Sequence, residues 1–110
     1  MNDRLLSFLG LCLRAKKLVI GAEISAKSAQ EGKSKLILYA DDFSPNSLKK
    51  LLAAAQQYGV RAMSVHRTKQ ELSLALGRLS GAISVEDEGF AKKLIEMIES
   101  EQGGELYDKI

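Results

Sequence analysis

Basic side chains gather on either side of a glycine in the first third of the chain. They are Arg14, Lys16, Lys17, Lys27, Lys33 and Lys35. The glycine, Gly21, follows the apolar run Leu18-Val19-Ile20 and precedes a helix-prone segment. If a helix begins at Gly21, the N–H groups of the first turn have no partner within the helix. Together with Lys27 one turn later, they could bind a phosphate group. Two ordinary interpretations also fit: an ion pair between Glu23 and Lys27, worth about 0.2–0.5 kcal/mol, and a solvated basic surface.

Residues able to form a catalytic site do not occur in a recognisable pattern. His66 is the only histidine, Cys12 is the only cysteine, and no serine occupies a G-x-S-x-G turn, so no nucleophile can be paired with a base. Gly32-Lys33-Ser34 ends like a phosphate-binding loop, but Lys27 stands where that motif needs its first glycine. We therefore do not expect an enzyme.

Two adjacent carboxylates, Asp41 and Asp42, follow a predicted buried strand. Such a pair can hold Mg²⁺ in some α/β proteins. Capping and turn roles are the preferred interpretation, because Asp side chains commonly bond to nearby backbone groups. No metal site is expected.

Length and charge limit the class of protein. A chain of 110 residues, 45% of them hydrophobic, suits one domain. No apolar run approaches the roughly 18 residues of a membrane span, and a single cysteine fits a reducing compartment, so we expect a cytoplasmic protein. Residues 1–70 hold 12 Lys/Arg and 5 Asp/Glu, whereas residues 71–110 hold 4 and 9. The basic part can bind a polyanion if the fold gathers its charges on one face.

Hydrophobic periodicity predicts alternating helices and strands. The predicted helices cover residues 3–15, 22–31, 44–58, 68–80 and 87–100, and the predicted strands cover 18–20, 35–40, 60–65 and 82–85. Thr68 and Glu71 form a capping box at the start of the fourth helix, which is expected to carry Leu79 and to end before Gly81. In the second helix, the spacing of Ala22, Ala26 and Ala29 predicts a small-residue face against the sheet, which leaves Ile24 exposed.

These elements predict an α/β fold, a single three-layer α/β/α sandwich with a mostly buried sheet of about four short strands. The domain is expected over residues 1–100, followed by a polar C-terminal tail at 101–110.

Several segments also carry a family resemblance through their order and spacing. They are LGLCLRAKKLVIG, EGKSKLILYADDFSP, TKQELSLALG and DEGFAKKL. Together, over about residues 4–98, they resemble the YlxQ-type branch of the kink-turn-binding ribosomal protein superfamily, which includes the large-subunit proteins L-seven-Ae and L-thirty-e. The resemblance implies an α/β/α sandwich that binds structured RNA without catalysis or a cofactor.

The resemblance also implies which residues meet RNA. The glycine and the start of the second helix enter the major groove of a kink-turn, and the loop before the fourth helix meets flipped-out nucleotides. The RNA surface so implied comprises Lys17, Gly21, Glu23, Ile24, Lys27, His66, Arg67 and Thr68. The implied partners are structured RNA and a ribosomal or translation-associated complex. We expect the chain itself to be a monomer.

Two positions of this surface depart from the family pattern. RNA-binding members carry Asn or Lys in place of Glu23, and Glu or Gln in place of Ile24, to read sheared G·A pairs. An isoleucine offers no hydrogen bond to a guanine edge, so weak kink-turn specificity is expected. Two function classes stay open: a small RNA-binding protein, and a protein-interaction module of the same fold in which Ile24 belongs to an apolar contact.

Overall fold

Helices and strands alternate along the whole of the described chain. The computed structural model describes the backbone of residues 3–108 and the side chains of residues 3–101. The helices in this range are α1 (Arg4–Arg14), α2 (Ala22–Gln30), α3 (Pro45–Gln57), α4 (Lys69–Leu76) and α5 (Glu88–Asp108). The strands are β1 (Leu18–Ile20), β2 (Leu36–Tyr39), β3 (Ala62–Ser64) and β4 (Ala82–Val85). None of these helices is long and apolar enough to cross a membrane.

The four strands form one mixed sheet in the order β1-β4-β2-β3. Strand β4 is antiparallel to both of its neighbours, and β2 and β3 are parallel. The ends of β1, β2 and β3 and the start of β4 therefore lie at the same end of the sheet. We call this the Gly21 end. The residues that adjoin the strands there are Gly21, Ala40, Val65 and Gly81.

Helices cover both faces of the sheet, as the sequence predicted. Leu36 and Leu38 of β2 pack with side chains of α1, α4 and α5, while Ile37 between them packs with α2 and α3. This alternation follows from the two-residue repeat of a strand. The fold is thus a three-layer α/β/α sandwich.

Helix α1 supplies much of the larger core. Its residues Leu5, Leu6, Leu9 and Cys12 are buried, and the carboxylate of Asp3 caps its start by accepting the Leu6 N–H at 3.1 Å. Burial raises the pKa of the Cys12 thiol to about 11, so the thiol stays protonated at neutral pH. Cys12 is therefore a packing residue, as its apolar surroundings in the sequence indicated.

The face that α2 buries differs from the predicted alanine face. Ser25, Ser28 and Ala29 are buried, whereas Ala22 and Ala26 are half-buried at the edge, where they line a depression shared with α3. The reason lies in β4, where the Ser84 hydroxyl is 3.2 Å from that of Ser28. Buried hydroxyls that bond to one another carry no large desolvation cost, which accounts for Ser28. The buried Ser25 hydroxyl has no hydrogen-bond partner among residues 3–101, and the structure does not explain its place in this contact.

Helix α4 ends earlier than predicted. Its last residue is Leu76, and Gly77 follows in the left-handed conformation with φ 77°. Glycine adopts this conformation without the steric cost that other residues pay, and it commonly stops a helix. Leu79 therefore lies in the loop before β4, where it is 63% exposed.

The predicted tail begins inside α5. The backbone is helical to Asp108, so the helix continues past residue 100. Residues 109 and 110, and the side chains after Glu101, lie outside the described part of the chain. The division into a domain at 1–100 and a tail at 101–110 stays a prediction.

An ion-pair cluster joins three separate segments on the α1 and α5 side. The Arg67 guanidinium donates to Asp3 at 2.7 Å and to Glu101 at 2.8 Å, and its side chain is only 14% exposed. The hydrogen bond from Arg67 lowers the pKa of the Asp3 carboxyl. The cluster therefore holds the start of α1 and the later turns of α5 against the loop after β3.

Replacing Asp3 with Asn tests the charge of this cluster, because Asn caps a helix about as well as Asp does. Asp3→Asn should lower the free energy of unfolding at pH 7 by about 1.5–3 kcal/mol, the range of a hydrogen bond to a charged group. The Asp3 pKa is lowered in the folded state, so its contribution is complete above the unfolded pKa of about 3.9 and is lost as the pH falls further. The difference between parent and variant should therefore shrink below that pH.

Urea unfolding at a series of pH values measures this difference. Asp42→Asn is the matched control, since Asp42 also accepts a backbone N–H, that of Lys69 at 2.8 Å, and forms no ion pair among residues 3–101. If Asp3→Asn and the parent protein have equal stability at pH 7, the cluster does not stabilise the fold.

Candidate nucleic-acid interface

The turn from β1 into α2 depends on glycine. Gly21 is the N-cap of α2 with φ 127° and ψ 147°, a conformation that residues with a Cβ rarely adopt. A Cβ at this position would also lie 3.3 Å from Cγ2 of Ile24. No side chain caps the helix start. The N–H groups of the first turn therefore face outward, and the positive end of the helix dipole favours an anion.

A second positive group stands beside this helix start. Nη2 of Arg78 donates to the carbonyl oxygen of Ile20 at 2.6 Å, and Ile20 directly precedes Gly21. A guanidinium has further N–H donors besides the one used here. Arg78 is exposed, so these donors can reach a ligand at the start of α2.

The loop that contains Arg78 is closely packed at the residue where it enters β4. Gly81 is buried, and a Cβ there would lie 2.1 Å from Cδ1 of Phe43. The Phe43 ring thus occupies the space that a side chain at position 81 would need. Since Gly81 leads into β4, next to β1, this contact helps to fix the path of the loop toward Gly21.

The outer face of α2 carries the predicted contact residues. Glu23, Ile24 and Lys27 are exposed, as expected, and Ile24 is 47% exposed. Among residues 3–101, Glu23 and Lys27 form no ion pair, so the intrahelical pair that their spacing allows is not made. Lys50 of α3 lines the depression beside Glu23 and adds a cation to this side.

Lys17 does not lie with Gly21. It precedes Leu18, whereas Gly21 follows Ile20, so the two residues stand at opposite ends of β1. Four steps along a strand separate their Cα atoms by about 13 Å. The basic residues near Lys17 and those near Gly21 therefore belong to different ends of the sheet.

The loop of His66, Arg67 and Thr68 lies at the Gly21 end, but most of its groups are already bonded. Arg67 is held in the ion pairs with Asp3 and Glu101. The Thr68 hydroxyl accepts the Glu71 N–H at 3.1 Å, which confirms the predicted capping box. His66 alone of the three is exposed, with φ 56°. Three strand spacings, about 14 Å, separate this loop from Gly21 across the sheet.

The paired carboxylates Asp41 and Asp42 have structural partners. Asp41 accepts the Ser64 hydroxyl at 2.7 Å, and Asp42 accepts the Lys69 N–H at the start of α4. The first bond ties the loop after β2 to the end of β3, and the second ties it to the start of α4. Within residues 3–101, no cluster of three His, Cys, Asp or Glu side chains could hold a metal ion.

Sequence reasoning missed Arg78, Leu79 and Lys50 as surface residues of this region. The sequence did indicate the exposure of Arg78 and Leu79, because Gly77 is well suited to end a helix. An end at Leu76 places Arg78 and Leu79 in a loop. Lys50 carried no such signal, since only the packing of α3 beside α2 brings it near Glu23.

Comparison with curated proteins identifies similar bacterial chains. One, from Enterococcus faecium, is named RNA-binding protein YlxQ and is 30% identical over 98 residues, which covers 89% of this chain and 94% of that protein. Another, from Bacillus subtilis (strain 168), bears the same name and is 34% identical over 96 residues, covering 83% and 91%.

Solved structures show the same architecture. A protein of unknown function from Bacillus halodurans superposes with a TM-score of 0.81 at 34% identity, covering 87% of this chain and 97% of that one. The Giardia lamblia 15.5kD RNA binding protein superposes with a TM-score of 0.73 at 20% identity, covering 91% and 92%, which is a likeness of fold. Residues 3–95 match the sequence profile of the Ribosomal protein L7Ae/L30e/S12e/Gadd45 family, and the chain therefore belongs to that family.

Proposed function

We propose that this chain is a small, non-catalytic RNA-binding protein of the cytoplasm that holds structured, kink-turn-like RNA at the Gly21 end of its sheet. The RNA belongs to the ribosome or to a complex linked to translation. The protein binds it as a monomer. The names of the two similar bacterial proteins support the class of ligand.

One observation carries the proposal: the Arg78 guanidinium is bonded to the Ile20 carbonyl, directly beside the uncapped start of α2 at Gly21. A helix start and a guanidinium both favour phosphate oxygens. Together they can contact the sugar-phosphate backbone at a position set by the β1–α2 turn. Such contacts orient a nucleic acid without reading its sequence.

Other exposed cations extend this contact along α2. Lys27 lies on α2 one to two turns from Gly21, and Lys50 lies across the depression between α2 and α3. The exposed side chain of Leu79 adjoins Arg78 and can pack on an unstacked base. In this arrangement Lys17 and Arg67 contribute less than the family resemblance implied, because Lys17 is at the other end of β1 and Arg67 is held by carboxylates.

His66 lies on the side of the proposed surface that is farthest from Gly21. It is exposed at the end of β3, about 14 Å from Gly21 by strand spacing. A structured RNA can span this distance, and an imidazole can stack on an unpaired base. Thr68 shapes the loop through its capping bond and acts on RNA only through the position of His66.

Glu23 and Ile24 lower the specificity of this surface. A carboxylate repels phosphates, and the exposed Ile24 side chain cannot pair with the polar edge of a sheared G·A pair. An unpaired group at such an interface costs about 1–3 kcal/mol. We therefore infer that phosphate contacts supply most of the affinity and that discrimination of kink-turns is weak.

A second candidate function is favoured by the same exposed Ile24, together with Leu79. Ile24 lies one turn after Gly21, and Leu79 follows Arg78, which bonds to Ile20; exposed aliphatic side chains of this kind suit a protein-interaction module that has lost specific kink-turn binding. RNA binding is preferred because Arg78, Lys27 and Lys50 surround the same turn.

Arg78→Ala tests the observation that carries the proposal. Loss of one phosphate contact should weaken RNA binding and reduce the slope of log K against log salt by about 0.7–0.9. Filter binding or fluorescence titration at several salt concentrations measures both quantities. Arg61→Ala is the control, because Arg61 precedes β3 at the other end of the sheet and pairs with Glu99 on the surface. Equal slopes for the Arg78 variant and the parent would exclude Arg78 from the site.

Gly21→Ala tests the conformation of the turn. It should lower the free energy of unfolding by about 1–3 kcal/mol, the cost of a strained backbone, and should also weaken RNA binding by moving the start of α2. Gly10→Ala in α1 is the control, since Gly10 has no positive φ and a Cβ there makes only ordinary contacts. Parent-like stability and affinity in Gly21→Ala would show that neither role is real.

Glu23→Asn combined with Ile24→Glu tests specificity at constant net charge. Both side chains are exposed, so the fold should be unchanged, and the new polar groups can pair with G·A edges. The ratio of affinities for a kink-turn RNA and for the same RNA without G·A pairs should rise about tenfold or more. If the parent protein already separates the two RNAs by about a hundredfold, Ile24 lies outside the contact.

A further inference from the structure

The outer side of α1 is apolar in its middle and basic at its ends. Arg4, Ser7, Leu11 and Arg14 follow one another at the spacing of a helix face and are all exposed. Leu11, near the centre of this face, is 44% exposed. A single exposed leucine is common on protein surfaces and is not evidence of a binding site. Whether this face can bind a partner therefore depends on the residues around Leu11.

Leu11 belongs to a groove between α1 and α5 of about 430 Å³. Phe8 and Met97 line the groove with Leu11 and give it an apolar floor. Both are half-buried against the core, and the Phe8 ring meets that of Phe90 edge to face, with centroids 5.7 Å apart. The floor is therefore anchored in the core and presents a preformed apolar surface.

Cations border this α1–α5 groove. Arg4 and Arg14 lie at its two ends on α1, and Lys93 projects from α5. Among residues 3–101, none of the three forms an ion pair. The acidic side chains of Glu96 and Glu101 line an adjoining depression, which shares Arg4, Lys93 and Met97 with the groove. The lining of the groove itself includes three cations and no carboxylate, which suits an anionic partner.

We propose that the α1–α5 groove is a docking site for an acidic amphipathic helix of another protein. Arg4 and Arg14 are ten residues apart on one helix, which separates their Cα atoms by about 15 Å. A partner helix lying along α1 can pair with both arginines if it has two carboxylates about ten residues apart. Apolar residues between these carboxylates would then pack on Phe8, Leu11 and Met97. The charge of the groove and its apolar floor together select this occupant.

A polynucleotide fits the same groove less well. Phosphates satisfy the three cations, but the sugar-phosphate backbone leaves the aliphatic floor without an apolar partner. The Phe8 ring is half-buried and already packs on Phe90, so it is a poor platform for a base. An acidic amphipathic helix can both pair with the cations and pack apolar side chains on the floor of the groove.

This surface is separate from the proposed RNA site. Helices α1 and α5 cover one face of the sheet, whereas α2 covers the other. A helix in the groove and an RNA at the start of α2 do not compete for the same side chains. The chain can therefore link a bound RNA to a partner protein, and the docking site stands even if the RNA proposal fails.

The test is a titration of the 110-residue chain, labelled with ¹⁵N, with a designed helical peptide. The peptide carries two Glu about ten residues apart with Leu at i+3, i+4 and i+7 between them, and a second peptide has Lys in place of Glu. Amide shifts should change along α1 and α5 and not along α2. Leu11→Asp and Arg14→Glu should each weaken binding about tenfold or more. Leu52→Asp, an exposed leucine of α3 on the other face, is the matched control and should bind as the parent does.

Charge reversal makes the result specific. Arg14→Glu should bind the Lys peptide better than the parent protein does, which a general loss of folding cannot produce. The proposal is overturned if the Glu peptide moves no α1 amides, or if both peptides bind the parent equally. It is also overturned if structured RNA displaces the peptide, or if the protein alone self-associates through Leu11, because the occupant is then RNA or a second copy of the chain.

Discussion

The hydrogen bonds that β4 makes on both of its sides hold the two halves of this sheet together. Strand β4 pairs antiparallel with β1 and with β2, and all four of its residues are buried. A strand in this position must satisfy its backbone groups in the ladder, because water cannot reach them. Its direction brings the loop from α4 to the Gly21 end, and the contact of Phe43 with Gly81 holds that loop close to the sheet. The bond from Arg78 to Ile20 follows from this arrangement.

Two arginines of this molecule, Arg67 and Arg78, have different roles. Arg67 serves the fold, since the carboxylates of Asp3 and Glu101 surround its guanidinium and bind three segments together. Arg78 makes a single bond to a carbonyl and keeps donors for a ligand. Both residues are arginines in loops next to α4. The difference lies in their neighbours, because a guanidinium paired with two carboxylates gains little from a phosphate.

The two faces of the sheet are built differently, and this affects what each can bind. On the α1, α4 and α5 side, large aliphatic side chains fill a continuous core, and some of that apolar surface continues into the groove beside Leu11. On the α2 and α3 side, serine and alanine allow the helices to approach the sheet closely. Gly21 alone connects β1 to α2, so Arg78, which bonds to the Ile20 carbonyl, lies beside the first turn of α2. The proposed RNA surface begins where α2 starts, at the Gly21 end, and the proposed groove for a partner helix lies on the side of α1 and α5.

Local features of the sequence determined the elements and their main boundaries. The periodicity of Leu5, Leu9 and Cys12, the glycine at 21 and the capping box at Thr68 each act within a few residues, so they could be read directly. Ile24 was correctly placed on the surface by its angle on the helix wheel. The exposure of Glu23, Ile24 and Lys27 on α2 was thus predictable, whereas the residues that surround them in the fold were not.

Only the tertiary structure decided which segments meet. The strand order and the antiparallel direction of β4 depend on contacts between residues far apart in the chain, and no local pattern encodes them. This pairing placed Arg78 beside Gly21 and put Lys17 at the opposite end of β1. It also engaged Arg67 with Asp3, 64 positions away. Charge in a sequence shows that a polyanion can be bound, but the fold determines which charges remain available, because burial and pairing with carboxylates are long-range properties.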